Sequence, residues 1–208
     1  MDNLLQAQPS IMLDEFLKQY KYIYNIDIEK AKNLIKLGIK YYDVAPYQTY
    51  LTDNWYKSLK TDKPAFNLYN DPYYFTDLWV CWNEYSRKYL RSITKNNSLT
   101  DTQSIYSIVK DCKSVADLGC GLGLTTSALT EIFPSATVYA TNIVDTEQFK
   151  FCEYLSKKKK FILKEHYKEL PKVDMIFASE YFEHIYDAFD EIYDIIKNIS
   201  PQFLYIAN

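Results

Sequence analysis

Apolar positions along this chain change their period near residue 114. Before that point they recur every three or four residues, the spacing of helices that bury one face. Ile11, Leu13, Phe16, Leu17 and Tyr20 predict a helix over 10–23 with Ser10 as its cap. Ile28, Ala31, Leu34 and Ile35 predict a second, capped by Asp27 and stopped by Gly38. Residues 39–70 are rich in tyrosine and interrupted by Pro46 and Pro64, and their pattern assigns no element. Asp71-Pro72 is a cap followed by proline at the first helical position. It opens a long aromatic helix to about residue 93, which carries Phe75, Leu78, Trp79, Trp82, Tyr85 and Tyr89. The polar run 95–98 reads as a linker, and Asp101 as the cap of a helix to about residue 110.

From 114 onward short apolar runs alternate with helical stretches. Residues 115–118, 137–141, 161–164, 174–178 and 203–206 read as five strands. Between them lie a helix from Thr125 to Phe133 stopped by Pro134, a helical stretch over 145–156, and a helix over 188–199. The last carries Phe189, Ile192, Ile195, Ile196 and Ile199 on one stripe. Such alternation predicts an α/β fold, a parallel sheet with helices on both faces. Pockets in such sheets open at the carboxyl ends of the strands. The chain therefore divides into a mostly helical, aromatic-rich region over 1–100 and an α/β core over 101–208.

Composition narrows the function classes. The 208 residues are 48% hydrophobic, enough for a substantial core, and no apolar run is long enough to span a membrane. The net charge of −3 provides no global basic field, so nucleic acid is not indicated as a partner. Cys81, Cys112, Cys120 and Cys152 have no paired spacing and read as reduced thiols of a cytoplasmic protein. Lys157 to Lys160 read as a solvated turn.

Three of the four glycines fall at 119, 121 and 123, directly after an apolar strand that ends with Asp117 and Leu118. Glycine allows the tight bend and the close approach of main chain to a ligand. Leu124 stands where a dinucleotide fingerprint needs glycine. The pattern D-x-G-x-G-x-G instead resembles the first motif of the class I S-adenosylmethionine methyltransferases. That resemblance implies a Rossmann-like sheet and S-adenosylmethionine as the cofactor. It assigns Asp117, Gly119, Cys120, Gly121 and Gly123 to the methionine part, with the acid facing the amino group. Asn142 and Ile143, at the exit of the second strand, fall at the ribose. The family usually has Asp or Glu at the place of Asn142; Asn keeps hydrogen-bonding capacity without the charge, and Asp145 stands close by in sequence. His166, after the third strand, falls at the adenine, and Ser179, ending the fourth, beside the transferred methyl.

Glu180, Glu183 and His184 follow the fourth strand. On the first turn of a helix, spacings of three and four place all three on one face. This E-x-x-E-H pattern resembles the metal-binding motif of ubiquinone-pathway O-methyltransferases and of small-RNA 3′-end 2′-O-methyltransferases. It implies either a divalent metal held by Glu180, Glu183 and His184, or a metal-free site in which His184 is the general base and Glu180 assists. The function implied is methyl transfer to a hydroxyl or nitrogen of a small molecule; a nucleic-acid methyltransferase and a non-catalytic, S-adenosylmethionine-binding subunit are the alternatives. The family sheet usually continues past a fifth strand, whereas this sequence stops at Asn208. A truncated product, a minimal enzyme, and a partner or second copy that completes the fold all fit. The open edge is expected to be covered or paired.

Overall fold

The computed structural model describes residues 9–58, 66–94 and 105–207. The helical region comprises α1 (Pro9–Tyr24), α2 (Ile28–Lys40), α3 (Pro46–Ser58), the short α4 (Phe66–Tyr69) and α5 (Pro72–Cys81). A π-helical turn (Trp82–Ser86) leads from α5 into α6 (Arg87–Thr94). After the short α7 (Ile105–Val109) come β1 (Ser114–Leu118), α8 (Leu124–Ile132), β2 (Thr137–Thr141), α9 (Glu147–Lys159) and β3 (Ile162–Lys164). The chain then runs through β4 (Met175–Ser179), α10 (Ala188–Asn198) and β5 (Phe203–Ala207). The strands form one sheet in the order β3-β2-β1-β4-β5, parallel throughout. Asp117 pairs in register with Ala140 on one side and Phe177 on the other, so the carboxyl ends of β1, β2 and β4 lie together.

Ser10 does not cap α1, which already begins at Pro9, but the other two caps expected among the described residues form. Asp27 accepts from the Glu29 N–H at 2.8 Å, and Asp71 from the Tyr73 N–H at 2.7 Å. Gly38 is not a stop. It lies buried inside α2, where a Cβ would collide with the Tyr47 hydroxyl. Its lack of a side chain leaves room for the Tyr47 hydroxyl and for Val80 of α5, the helix that packs against α2. The long aromatic helix is interrupted by the π turn, which re-aims the face that follows. In the stretch the pattern left unassigned, α3 buries Tyr47, Gln48 and Leu51, and its mixed aromatic and polar residues give no clean periodicity. The linker at 95–98 and the Asp101 cap lie outside the described residues. Lys157–Lys159 end α9 rather than forming a loop, with Lys160 in left-handed backbone closing it.

The two faces of β1 enter different cores, as the period of a strand requires. Val115 joins a cluster that continues through Phe177 and Phe151 to Phe16, Phe75 and Trp79 of the helical region. Phe16 stacks on Phe75 at 5.1 Å and meets Phe151 edge-on at 6.3 Å. The helices are therefore fixed to the sheet by shared aromatic packing, with about 1.5–3 kcal/mol from each fully buried ring. Ala116 and Leu118 face the opposite layer with Ile176, Phe182, Ile195 and Ile199. The expected stripe on α10 is only partly used. Ile195 and Ile199 are buried, while Phe189 is 89% and Ile196 53% exposed. β5 pairs with β4 and has no strand on its other side among the described residues. Ser92 and Tyr205 share a hydrogen bond of 2.9 Å that ties α6 to β5. No helix among the described residues is long and apolar enough to cross a membrane.

Candidate active site

The bend after β1 is built from left-handed backbone. Gly119, Gly121 and Gly123 have φ of 63°, 54° and 77°. The Cys120 N–H donates to the Thr141 carbonyl at 2.9 Å, and the Gly119 N–H to the Thr141 hydroxyl at 3.3 Å, so the bend is stitched to the end of β2. Asp117 is buried beneath it and accepts from the Thr126 hydroxyl at 2.6 Å. Burial raises its carboxyl from 3.8 to about 7, against the opposing pull of Thr126. A site that holds this acid so far from water favours an arriving ammonium group over bulk solvent.

A cavity of about 290 Å³ runs along the bend and across the carboxyl ends of the strands. Asp117, Gly119, Cys120 and Gly121 line it, as do Asn142, Ile143, His166 and Ser179. Gly123 does not. It starts α8 and packs where a Cβ would press on Cys152 and Phe161, so its role is the close approach of helix to neighbour. Tyr181 covers one side of Gly119 and holds its hydroxyl on Glu191 at 2.6 Å.

Two exit residues make contacts the sequence did not suggest. Asn142 donates its amide to the Gly121 carbonyl at 2.6 Å and accepts from the Ile143 N–H at 2.9 Å. It braces the bend from β2, with lone-pair and donor capacity left for a ligand. The His166 ring nitrogen Nδ1 accepts from the Lys168 N–H at 3.1 Å, while Glu169 accepts from the His166 N–H at 3.1 Å. His166 therefore caps a 3-10 turn (Tyr167–Glu169) at the cavity wall, rather than offering both ring nitrogens to a base.

The helical face expected for Glu180, Glu183 and His184 is not formed. Glu180 lies before the turn in left-handed backbone, φ 51°, with its N–H donating to the Ala207 carbonyl at 2.8 Å. The turn itself is a 3-10 helix (Phe182–His184), tighter than an α-helical one. Glu180 accepts from the Tyr89 hydroxyl at 2.8 Å. Glu183 lies 3.5 Å from the His184 Nε2 and shares a side-chain hydrogen bond with Glu180. Among the described residues no group of three or more His, Cys, Asp or Glu side chains is placed to hold a metal ion. The expected metal triad is thus replaced by a carboxyl pair beside an imidazole. Burial, then the charge of Glu180, raises Glu183 from 4.5 to about 7, and burial lowers His184 below 6.5.

The helical region closes the cavity from above. Tyr69, Tyr74, Leu78, Cys81, Trp82 and Ser86 line it. Trp55 and Tyr69 meet the His184 ring edge-on at 5.7 and 6.4 Å. Of the two tryptophans on the aromatic helix, Trp79 belongs to the core, and Trp82 is shared between core and cavity. Asn70 ties this region to the start of α9 by accepting from the Glu147 N–H at 3.0 Å. Gln148, on the first turn of α9, was invisible in the sequence pattern. It lines the cavity with its side-chain oxygen buried and without a hydrogen-bond partner. An orphaned acceptor of this kind calls for a donor from a ligand. With bare main chain at Gly119 and Gly121, it makes the site a fit for a hydroxyl-bearing nucleoside with a charged tail.

Cys120 and Cys152 place their sulfurs 3.3 Å apart, and both remain thiols, as do Cys81 and Cys112.

Residues 116–200 match the family model described as a methyltransferase domain. No curated protein matches the chain. Among solved structures it is similar to a SAM-dependent methyltransferase from Aquifex aeolicus, at 19% identity and a TM-score of 0.41, covering 58% of this chain and 70% of that one. It is also similar to a precorrin-6y C5,15-methyltransferase from Geobacter metallireducens, at 19% identity and a TM-score of 0.32, covering 47% of this chain and 60% of that one. A third is the O-methyltransferase from a trans-AT PKS multienzyme of Brevibacillus brevis in complex with S-adenosyl-L-homocysteine. There the identity is 16% and the TM-score 0.41, covering 69% of this chain and 46% of that one. The chain thus spans less than two thirds of the Geobacter and Brevibacillus chains.

Proposed function

We propose that this chain, whose residues 116–200 match a methyltransferase domain, is a class I S-adenosylmethionine-dependent methyltransferase that transfers a methyl group to a hydroxyl or nitrogen of a small-molecule acceptor. One observation carries the reading. The cavity that runs along Asp117 and the bare main chain of Gly119 and Gly121 also reaches Ser179, Glu180 and His184. A cofactor wall and a set of proton-handling groups therefore share one cavity.

When bound, S-adenosylmethionine supplies an electrophilic methyl carbon on a sulfonium. Asp117 would hold the ammonium of its tail, and the bare main chain of Gly119 and Gly121 would let it lie close by. Asn142 and Gln148 offer acceptors to sugar hydroxyls. The protein's remaining task is to align the acceptor, exclude water and take up its proton. Tyr69, Tyr74 and Trp82 provide the water-excluding roof. His184, held neutral by burial, is the base.

Titration calorimetry with S-adenosylmethionine tests the cofactor half. Micromolar binding that disappears in Asp117→Ala supports it, and undiminished binding in that variant refutes the assignment. A second reading, a binding subunit without turnover, draws on Asn142, whose amide is engaged by the Gly121 carbonyl where the family has an acid. Methyl-donor turnover against pools of small molecules separates the two.

A further inference from the structure

We propose that the acceptor is a small amine with an aromatic or apolar body, recruited as its ammonium by Glu180 and the rings beside it. This rests on the reading of the cavity as a methyl-transfer site. The walls of that cavity carry the carboxyl groups of Asp117, Glu165, Glu180 and Glu191, and neither lysine nor arginine lines it among the described residues. Asp117 lies at the cofactor bend. Beyond the residue that ends β4, Glu180 stands on the wall with Glu183 hydrogen-bonded behind it, and Tyr89 fixes the Glu180 oxygen at 2.8 Å. A carboxylate or phosphate acceptor brought here meets charge of its own sign with no cation to balance it. A neutral alcohol leaves the negative charge that Glu180 and Glu183 share without a counter-charge in a half-buried site. An ammonium exchanges its hydration shell for the Glu180 oxygens in a charge-assisted hydrogen bond. The rings of Tyr69, Tyr74 and Trp82, which line the same cavity, complete a cation-binding wall. Among the described residues no metal-ligating cluster competes for this role.

The chemistry balances on groups already present. The ammonium gives one proton to the neutral His184 imidazole, and the charge that forms there is met by the negative charge shared by Glu180 and Glu183, the latter 3.5 Å away. The freed lone pair on nitrogen bonds to the methyl carbon as the sulfur–carbon bond breaks, with that electron pair left on sulfur. The products are the methylated amine and the demethylated thioether. Glu180 holds the amine and positions it throughout.

Binding to the full chain, saturated with S-adenosylhomocysteine, tests the proposal by calorimetry without turnover. Phenethylamine, phenethyl alcohol and hydrocinnamate share one hydrocarbon body and differ in charge. Phenethylamine is expected to bind at least about tenfold tighter than either of the others, and Glu180→Gln to erase that preference while S-adenosylhomocysteine still binds. If S-adenosylhomocysteine binds and the amine shows no advantage, or the advantage survives Glu180→Gln, the amine proposal is wrong and the cofactor reading stands. If S-adenosylhomocysteine itself fails to bind, both fall. Thermal denaturation of Glu180→Gln distinguishes a folded variant from an unfolded one, and Glu180→Asp, which retains the charge, is expected to recover part of the preference.

Discussion

Thr126 donates its hydroxyl to Asp117 at 2.6 Å from the first turn of the helix that follows the glycine bend. The acid at the tip of β1 is thereby held by the element it introduces. Asp117 binds its proton up to about pH 7 in the folded chain and to 3.8 when exposed. Between those values the folded state carries more protons than the unfolded one, so stability falls as pH rises through the window. Urea denaturation of the ligand-free protein from pH 4 to 8 is expected to show this loss. Asp117→Asn should flatten the part of the curve that Asp117 contributes. Thr126→Val removes the buried donor and is expected to cost about 1–3 kcal/mol at neutral pH.

Substitutions at the bend should rank by what surrounds each glycine. A methyl at Gly119 collides with the Tyr181 ring, and one at Gly121 meets Leu78 at 3.2 Å. Both also force a side chain into left-handed backbone, at roughly 1–2 kcal/mol. Gly119→Ala is therefore expected to lower the melting temperature more than Gly121→Ala. Both should weaken S-adenosylmethionine binding, because the methyl enters the wall that the ligand would touch. Equal melting temperatures would mean that Tyr181 moves aside freely.

Burial pushes the thiols of Cys81 and Cys120 well above their ordinary range, so little thiolate is present at neutral pH. The native protein is expected to leave both unlabelled by iodoacetamide at pH 7.5 over an hour, and to label them fully in guanidinium. Mass spectrometry of tryptic peptides reads the outcome. Rapid native labelling of Cys120 would show that the bend opens far more often than its hydrogen bonds to Thr141 imply.

The sheet was legible because each strand is a short apolar run ended by a recognisable stop. The span of β2 was read without error, and the bend declared itself through Asp117 and three alternating glycines. What escaped was set by tertiary contacts. Gly38 reads as a helix stop until Tyr47 crosses it. Phe189 and Ile196 share a stripe with Ile195, yet α10 meets the sheet over too narrow a line to bury them. Glu180 fits a helical turn by spacing, but hydrogen bonding to Ala207 and Tyr89 holds it outside one. The residues that roof the cavity come from a stretch whose tyrosines show no period, and Gln148 is one polar position among many on α9. No local pattern could single them out.

His184 provides the most direct check on the proposed chemistry. Burial among Trp55 and Tyr69 disfavours its charged form and lowers it below 6.5. Glu183, 3.5 Å away, acts in the opposite sense once it ionises. The chain has only two histidines, so proton NMR of the ring signals, with His166→Gln for assignment, resolves the titration of each. The His184 signal is expected to titrate below 6.5 in the ligand-free protein, and to shift upward in Trp55→Ala, where water reaches the ring. Because the imidazole is then neutral at pH 7, it can accept the acceptor's proton without first losing its own. His184→Gln should lower kcat by about 10²–10⁴ with S-adenosylmethionine affinity unchanged. A kcat that survives this substitution would assign the proton to the Glu180–Glu183 pair instead.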